Sequence, residues 1–463
     1  MMRSFSLAEA LRWTQAQSAT NNLERYRVEG VSTDTRSLEK GQLFVALRGE
    51  HFDGHRFLGA ALERGACGAV VDVPDDTLVL PQLVVADTLE ALARLAEANR
   101  RECPAPLVAI TGSSGKTTVK EMVAAALSRM GPTLSTRGNL NNHIGVPLTL
   151  FGLSPEHRFG VIELGASGLG EIAHTVAMTR PQVAILTNAG QAHLEGFGSY
   201  DNIVEAKGEI IEGVVEGGLV VLNRDDPAFG RWRARAGERR VVSVSRQAHP
   251  EADYGVVAER AKTGGWHMRV TGPNGWGCTV SLALEGEHNV TNALLAMAAA
   301  RDLGASDTAI VEGLSAVQPV NGRLQMLTLS PELTVIDDSY NANPASMKAA
   351  LRVLSERPGL RVAVLGAMAE LGAEADALHR EVGECARQEG IEHLLTVGDG
   401  CRGYVEGFGP AATSCQSHEE AVDTILRHKG APVTVLVKGS RSSAMERVVE
   451  GIKTKVNNAC CSG

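Results

Sequence analysis

Residues 106–131 read PLVAITGSSGKTTVKEMVAAALSRMG, and the fold turns on them. A short apolar, β-rich run ending at Ile110 feeds a glycine-rich turn. Beyond it, Val119, Met122, Val123, Ala126, Leu127 and Met130 recur at helical spacing until Gly131-Pro132 ends the segment. Strand, glycine turn and helix form the setting in which a phosphate-binding loop works. Backbone N–H groups point inward, the helix N-terminus presents its positive end, and a lysine adds a full charge. The common loop, G-x-x-x-x-G-K-[ST], needs glycine at position 110, where this chain has isoleucine. Its inner part, Gly112-x-x-Gly115-Lys116-Thr117, is intact. Gly112 and Gly115 let the backbone curl, Lys116 suits the β- and γ-phosphates, and Thr117 suits Mg2+. The alternative is an ordinary βα turn with a surface lysine.

Working outward, strand-like runs at 160–164, 182–187 and 219–222 alternate with helical segments, a βαβ pattern with a largely parallel sheet. VTNALLAMAAARDLG (290–304) is a helix closed by Gly304. Upstream, LFVAL, RFLGAALERGA and GAVVD make a small α/β unit, and Asp87 caps a helix that leads into the central region. After about Val320 the alternation restarts with LTVID, PASMKAALRVLSE and RVAVLG and continues to VTVLV, long enough for a second doubly wound domain. The tail NNACCSG reads as frayed. The expected architecture is α/β in three domains: a small N-terminal α/β domain (1–84), a central P-loop parallel-sheet domain (85–318) and a C-terminal Rossmann-like domain (319–463).

The length of 463 residues agrees with several domains. With 44% hydrophobic and 21% charged residues the composition is ordinary for a globular protein, and a net charge of −9 argues against a dedicated nucleic-acid or anionic-membrane binder. The eight cysteines form no C-x-x-C pair, so neither a zinc ribbon nor a redox couple is indicated; buried thiols in a reducing cytosol are expected. No apolar run approaches the roughly 20 residues of a membrane span, and the start lacks a signal-peptide core. A cytoplasmic protein is expected. His51 and His55 have i,i+4 spacing, but Phe52 and Gly54 favour a loop over a metal-binding helix.

Phosphate-loop enzymes carry an acid at the end of a second strand, near the metal. GVIELG supplies Glu163, TNAGQAH places Asn188 and His193 after the next strand, and NIVEAKGEI supplies Lys207. Each alone is explained by a solvated or structural side chain; together they suggest a metal site. T-G-S-S-G-K-T, E-L-G, T-N-x(4)-H and A-K-G-E-I resemble the central domain of the Mur ligases. These are ATP-dependent amide-forming enzymes of peptidoglycan precursor synthesis, related to folylpolyglutamate synthases. The family's loop has the form T-G-T/S-x-G-K-T/S, so Ile110 is expected there. The resemblance implies ATP held by Gly112, Ser113, Ser114, Gly115, Lys116, Thr117 and Thr118, with Lys116, His193 and Lys207 catalytic. It also implies two Mg2+ ions, one on Thr117 and Glu163 and one on His193 and an N-carboxylated (carbamylated) Lys207.

The resemblance runs through the whole chain. EGEHNVTNALLAMAAA is similar to the family's adenine-approaching helix, which implies roles for Asn289 and Asn292; an asparagine cap explains Asn289 equally well. NGRLQ puts Arg323 where the family uses an arginine on the ATP phosphates. In DDSYNANPASMKAAL (337–351), Asp337 or Asp338 suits ribose hydroxyls, Tyr340 and Asn343 join the ATP site, and Asn343-Pro344 starts a helix. This string resembles the family member that adds D-alanyl-D-alanine, as do STDTR (32–36), GNLNNHIGVPLTL (138–150) and LGAMAELG (365–372). In the last of these, Ala367 stands where aspartate is common, so no acid role is available there. The member adding the third amino acid is the rival; the D-N-P-R string of its diaminopimelate-selective form is absent here. The implied substrates are UDP-N-acetylmuramoyl-tripeptide and D-Ala-D-Ala, joined through an acyl phosphate by a monomer without membrane insertion. The implied substrate contacts are Ser32, Asp34 and Arg36 for the uridine nucleotide, with Asn139, Asn141, Asn142, Lys438, Ser440 and Arg441. The last three could instead cap the final helix, and Ser32 to Arg36 could be a turn with a local salt bridge. A P-loop switch or motor is the alternative from another class.

Overall fold

The computed structural model describes residues 2–49, 52–261, 264–428 and 432–461. Among them, three sheets organise the chain. The first is parallel, in the order Gly30–Ser32, Gln42–Val45, Gly68–Val71, Gln82–Val84. The second has nine strands: Thr133–Ser135, Phe159–Glu163, Leu107–Thr111, Val183–Leu186, Leu219–Asn223, Arg240–Ser245, Tyr254–Arg260, Trp266–Thr271, Gly277–Leu282. Its pairings are parallel as far as Tyr254–Arg260 and antiparallel beyond. The third runs Gln325–Ser330, Leu333–Asp338, Val433–Lys438, Leu360–Gly366, His393–Val397, Ala412–Cys415, antiparallel only at its first pairing. The α/β class in three domains is what the alternating pattern predicts.

Leu107–Thr111 is buried along its whole length. Such a strand needs helices on both faces of its sheet. Lys116–Ser128 and His288–Asp302 share one apolar core with Val108 and Ile110, whereas Leu107 and Ala109 join a second core with Thr88–Glu102 and Glu171–Thr179. That second core continues to Phe5, Leu7 and Val28, so the first and central domains share apolar packing. In register, Glu163 lies opposite Ile110 and Leu186 opposite Thr111. Parallel strands end at one edge, so the glycine loop, Glu163 and residues 187–193 emerge together.

Three features differ from the sequence reading. The antiparallel extension spanning 254–282 was not anticipated. The final helix, Glu446–Cys461, carries most of the tail that reads as frayed. Asp337 and Asp338 are neighbours on one strand, so their side chains point to opposite faces. His51 lies outside the described residues; His55, as expected, sits in a short turn, held between Asp53 (2.8 Å) and Asp72 (2.7 Å). Cys67, Cys103, Cys278, Cys385, Cys401 and Cys415 are free thiols, buried or half-buried.

Candidate active site

Both loop glycines are required by the backbone. Gly112 has φ +146°, and a Cβ there would lie 2.0 Å from Thr187 Oγ1. Gly115, at φ +80°, opens the Lys116–Ser128 helix, and its Cβ would meet Asn292 Oδ1 at 2.8 Å. The loop is stitched to the end of the neighbouring strand. Ser113 N–H donates to the Asn188 carbonyl (3.0 Å), Ser114 N–H to Asn188 Oδ1 (3.0 Å), and Thr187 Oγ1–H to the Ser114 carbonyl (2.6 Å). Lys116 arches back, its Nζ donating to the Gly112 carbonyl at 2.8 Å. Burial lowers its pKa; nearby Glu163 opposes this and Arg323 adds to it.

Glu163 is buried and fully engaged. Thr117 Oγ1–H donates to Oε2 (2.9 Å) and Asn141 Nδ2–H to Oε1 (2.8 Å). Among the described residues, no three His, Cys, Asp or Glu side chains gather into a metal cage. An adjoining hydroxyl and carboxylate fit Mg2+, which keeps its waters and takes one or two carboxylates plus substrate phosphates. His193, at φ +57°, is hydrogen-bonded through Nδ1 to the Glu370 carboxylate. Burial lowers its pKa against the pull of Glu370, and the charges of Lys116 and Lys207 lower it further. Lys207 is 2% exposed; its Nζ donates to the Ala166 carbonyl at 3.2 Å and stands 5.0 Å from the centre of the Phe197 ring. Burial, with Lys116 adding, takes its pKa down to about 7 against Glu171 and Glu209. A lysine whose pKa is lowered this far is more readily neutral, the form that takes up CO2, and carbamate oxygens would suit a hard cation.

The opposite wall comes from the C-terminal domain. The Arg323 guanidinium lies 4.4 Å from the Tyr340 ring centre. Asp338 Oδ2 pairs with buried Lys438 at 2.6 Å, and Oδ1 accepts from Leu324 N–H at 3.0 Å. Asp337 turns away, accepting from Ser339 N–H (3.1 Å) and Oγ–H (2.6 Å). Asn343 caps Pro344–Ser355 in a reciprocal pair with Ser346. Ser440 Oγ lies 3.0 Å from both Ser442 Oγ and Ser443 Oγ, and Arg441 pairs with Glu446 at 3.3 Å. The cap reading of Asn289 is overturned. The helix opens two residues earlier than that reading requires, at His288, and Asn289 Nδ2–H reaches back to the Glu285 carbonyl at 2.7 Å. Asn292 Nδ2–H in turn donates to Asn289 Oδ1 at 2.8 Å.

These groups surround a cavity of about 790 Å3 between the two domains. It gathers residues 113–118, Asn139, Asn141, Asn142, Glu163, His193, Asn289, Asn292, Arg323, Asp338, Tyr340, Asn343, Lys438, Ser440 and Arg441. Gly112, Lys207 and Asp337 do not line it. Ser32, Asp34 and Arg36 are not part of it. They form a turn in the first domain, with Asp34 and Arg36 paired at 2.7 Å. The sequence reading missed His288, Glu171 and Glu370, which also line the cavity. His288 stands directly before Asn289 and burial takes its pKa to about 4; Glu370 lies within the quoted LGAMAELG, where only position 367 drew attention.

Known protein families match the chain in three successive stretches. Models of the Mur ligase family catalytic domain, the Mur ligase middle domain and the Mur ligase glutamate ligase domain match residues 27–100, 110–300 and 322–441. The UDP-N-acetylmuramoyl-tripeptide–D-alanyl-D-alanine ligase of Escherichia coli K12 is 45% identical over 435 residues, 94% of this chain and 95% of the relative. A crystal structure of MurF from Acinetobacter baumannii superimposes with a TM-score of 0.92 at 35% identity, covering 98% of this chain and 99% of that one. MurF ligase from Thermotoga maritima, in complex with ADP, gives a TM-score of 0.84 at 26% identity, covering 93% and 98%. With glycine loop, strand-end glutamate and asparagine-bearing helix converging on one cavity, and relatives matching nearly end to end, the chain belongs to the Mur ligase family.

Proposed function

We propose that the chain is an ATP-dependent ligase joining D-alanyl-D-alanine to UDP-N-acetylmuramoyl-tripeptide, giving the UDP-linked pentapeptide, ADP and phosphate. The observation that carries this reading is the convergence on one cavity of the phosphate loop and Glu163 with Arg323, Asp338 and Lys438 of the other domain. An amide does not form from a carboxylate in water unaided, because the carboxylate oxygen is a poor leaving group. A tripeptide carboxylate oxygen attacks the γ-phosphorus of ATP and ADP departs. The dipeptide amine then attacks the acyl carbon, phosphate leaves, and the nitrogen loses a proton.

Catalysis is positioning and charge neutralisation. Loop N–H groups and Lys116 hold the β- and γ-phosphates, Arg323 approaches them from the opposite wall, and Asn289 and Asn292 serve adenine. Asp338, rather than Asp337, faces the nucleotide, with Tyr340 and Asn343 beside it. Thr117 and Glu163 would hold one Mg2+, and His193 with N-carboxylated Lys207 a second. Bound Mg2+ supplies positive charge that lets carboxylate and phosphate approach. We assign Ser32, Asp34 and Arg36 to the uridine nucleotide, Asn139, Asn141 and Asn142 to the acceptor, and Lys438, Ser440 and Arg441 to the dipeptide. The corresponding domains are 1–84, 85–318 and 319–463. The proposed working unit is a monomer. Free thiols fit a cytoplasmic setting, and no helix of the described residues is long and apolar enough to cross a membrane.

Phosphate release tests the reading. It should require ATP, the UDP-tripeptide and D-Ala-D-Ala together. Stimulation by a single amino acid in place of the dipeptide would reassign the chain within the family, and release needing neither substrate would point to a switch or motor. Lys116→Ala should lower kcat by about 100-fold or more while leaving UDP-tripeptide affinity, read by calorimetry, within about twofold of wild type. Equal loss of both would overturn the division of labour between domains.

A further inference from the structure

Residues 193–195 of the central domain dock on residues 370–372 of the C-terminal domain. The Glu370 carboxylate is hydrogen-bonded to His193 Nδ1, Glu195 N–H donates to the Glu370 carbonyl at 3.0 Å, and Leu194 packs against the C-terminal core. His193 (φ +57°) and Glu370 (φ +60°) both occupy the left-handed region. Residues other than glycine, asparagine, aspartate and histidine rarely settle there, so Glu370 is the unusual member of the pair. Two such residues, joined by their side chains across a domain boundary, mark a local arrangement that the surroundings enforce. The Glu370 side chain remains about half exposed at the cavity wall, so hydration was open to it and burial does not explain its orientation.

We propose that Glu370 is a positioning residue: its carboxylate, delivered by the C-terminal domain, fixes the His193 ring with Nδ1–H donated to it and Nε2 left as the free lone pair. The inference rests on the reading of His193 as a metal ligand given above. A histidine that ligates a metal commonly gives its other ring N–H to a carboxylate, which sets tautomer and ring orientation and raises basicity at the ligating nitrogen. Here that carboxylate belongs to a different domain from the ring. The ring is therefore fixed only while the two domains are together, and completion of the second ion site is coupled to their closure. LGAMAELG lacks an acid at position 367, and the acid it brings to the site is Glu370, three residues on.

The experiment titrates Mn2+, read by electron paramagnetic resonance, into the full chain saturated with a non-hydrolysable ATP analogue and UDP-tripeptide. Wild type should bind two ions. Glu370→Ala should weaken one ion by about 10- to 100-fold and leave the other unchanged, with kcat falling in parallel and the KM for ATP within about twofold. Glu370→Gln, whose amide oxygen still accepts from Nδ1–H, should recover most of the lost ion affinity. Unchanged binding in Glu370→Ala, equal weakening of both ions, or a Gln variant as poor as the Ala variant would each overturn the proposal. His193→Ala separates the two levels of the argument. If it keeps both ions, His193 is no ligand and the site reading falls together with the proposal. If it loses one ion while Glu370→Ala loses none, the role of Glu370 alone is refuted.

Discussion

Lys207 shows how far a single residue could be anticipated. The A-K-G-E-I string marked it, but its chemistry comes from partners distant in sequence: the Ala166 carbonyl at 3.2 Å and the Phe197 ring at 5.0 Å, in a setting that takes its pKa to about 7. An unfolded lysine titrates near 10.4. Between those values the unfolded chain binds more protons than the folded one, so stability from this group rises with pH. The penalty for burying the charge is complete below about pH 7 and fades as pH approaches the unfolded value. Lys207→Met should therefore raise the denaturant midpoint in CO2-free buffer more at pH 6 than at pH 10; a pH-independent difference would contradict the assignment. The same variant should lose ligase activity. It should also lack the carbamate signal that wild type gives by nuclear magnetic resonance in isotopically labelled bicarbonate, and a wild type without that signal would remove carbamylation from the mechanism.

At the scale of elements, the phosphate loop was legible because its constraints are local. A buried β-run, two glycines and a periodic apolar helix specify one another within 26 residues. The asparagine pair was half legible: its helix was evident, but its first turn begins earlier than a cap reading allows, so Asn289 faces inward to Glu285. The 254–282 extension carried a usable signal in WHMRVT, whose alternate residues are buried, yet its first strand, YGVVAER, is mostly half exposed or exposed and shows no such alternation. Gly115→Ala tests the loop as an element. It combines a left-handed backbone with a Cβ 2.8 Å from Asn292 Oδ1, and Asn292 is bonded to Asn289 and cannot easily swing away. We expect a loss of about 1–3 kcal/mol from the backbone alone, with ATP-analogue affinity lowered at least about tenfold and UDP-tripeptide binding retained. Gly217→Ala, at φ +74° with open space around its Cβ, is the control for strain without crowding. Equal effects of the two on ATP affinity would sink the crowding argument.

At the scale of the whole molecule, the number of domains could be read from restarting alternation, whereas the contacts that hold two of them together could not. Glu285, 7% exposed in the central domain, faces Arg260 of its own domain and Arg357 of the C-terminal domain, the latter at 2.7 Å. Arg260 reaches across in the opposite direction to Glu356. Partners 72 and 96 positions apart follow no periodicity, so no pattern in the chain announces them. The cluster is also unevenly matched: Arg357 Nε and Nη2 have no well-aligned hydrogen-bond acceptor despite the short Nη2 approach to Glu285. One buried carboxylate therefore restrains two guanidiniums at the domain boundary. Glu285→Gln would leave them facing each other without its charge. Removing one partner of a fully buried pair costs about 3–5 kcal/mol; the cost here should be smaller, because both arginines are partly exposed to water and their repulsion is screened. If the cluster holds the C-terminal domain over ATP, Glu285→Gln should enlarge the radius of gyration by X-ray scattering and raise the KM for ATP. UDP-tripeptide affinity should not change, because the first domain packs on the opposite core of the central sheet. Added salt should bring wild type part of the way toward the variant, as screening weakens the exposed Arg260–Glu356 contact first. A variant with wild-type scattering and KM would mean that closure is set elsewhere than at this cluster.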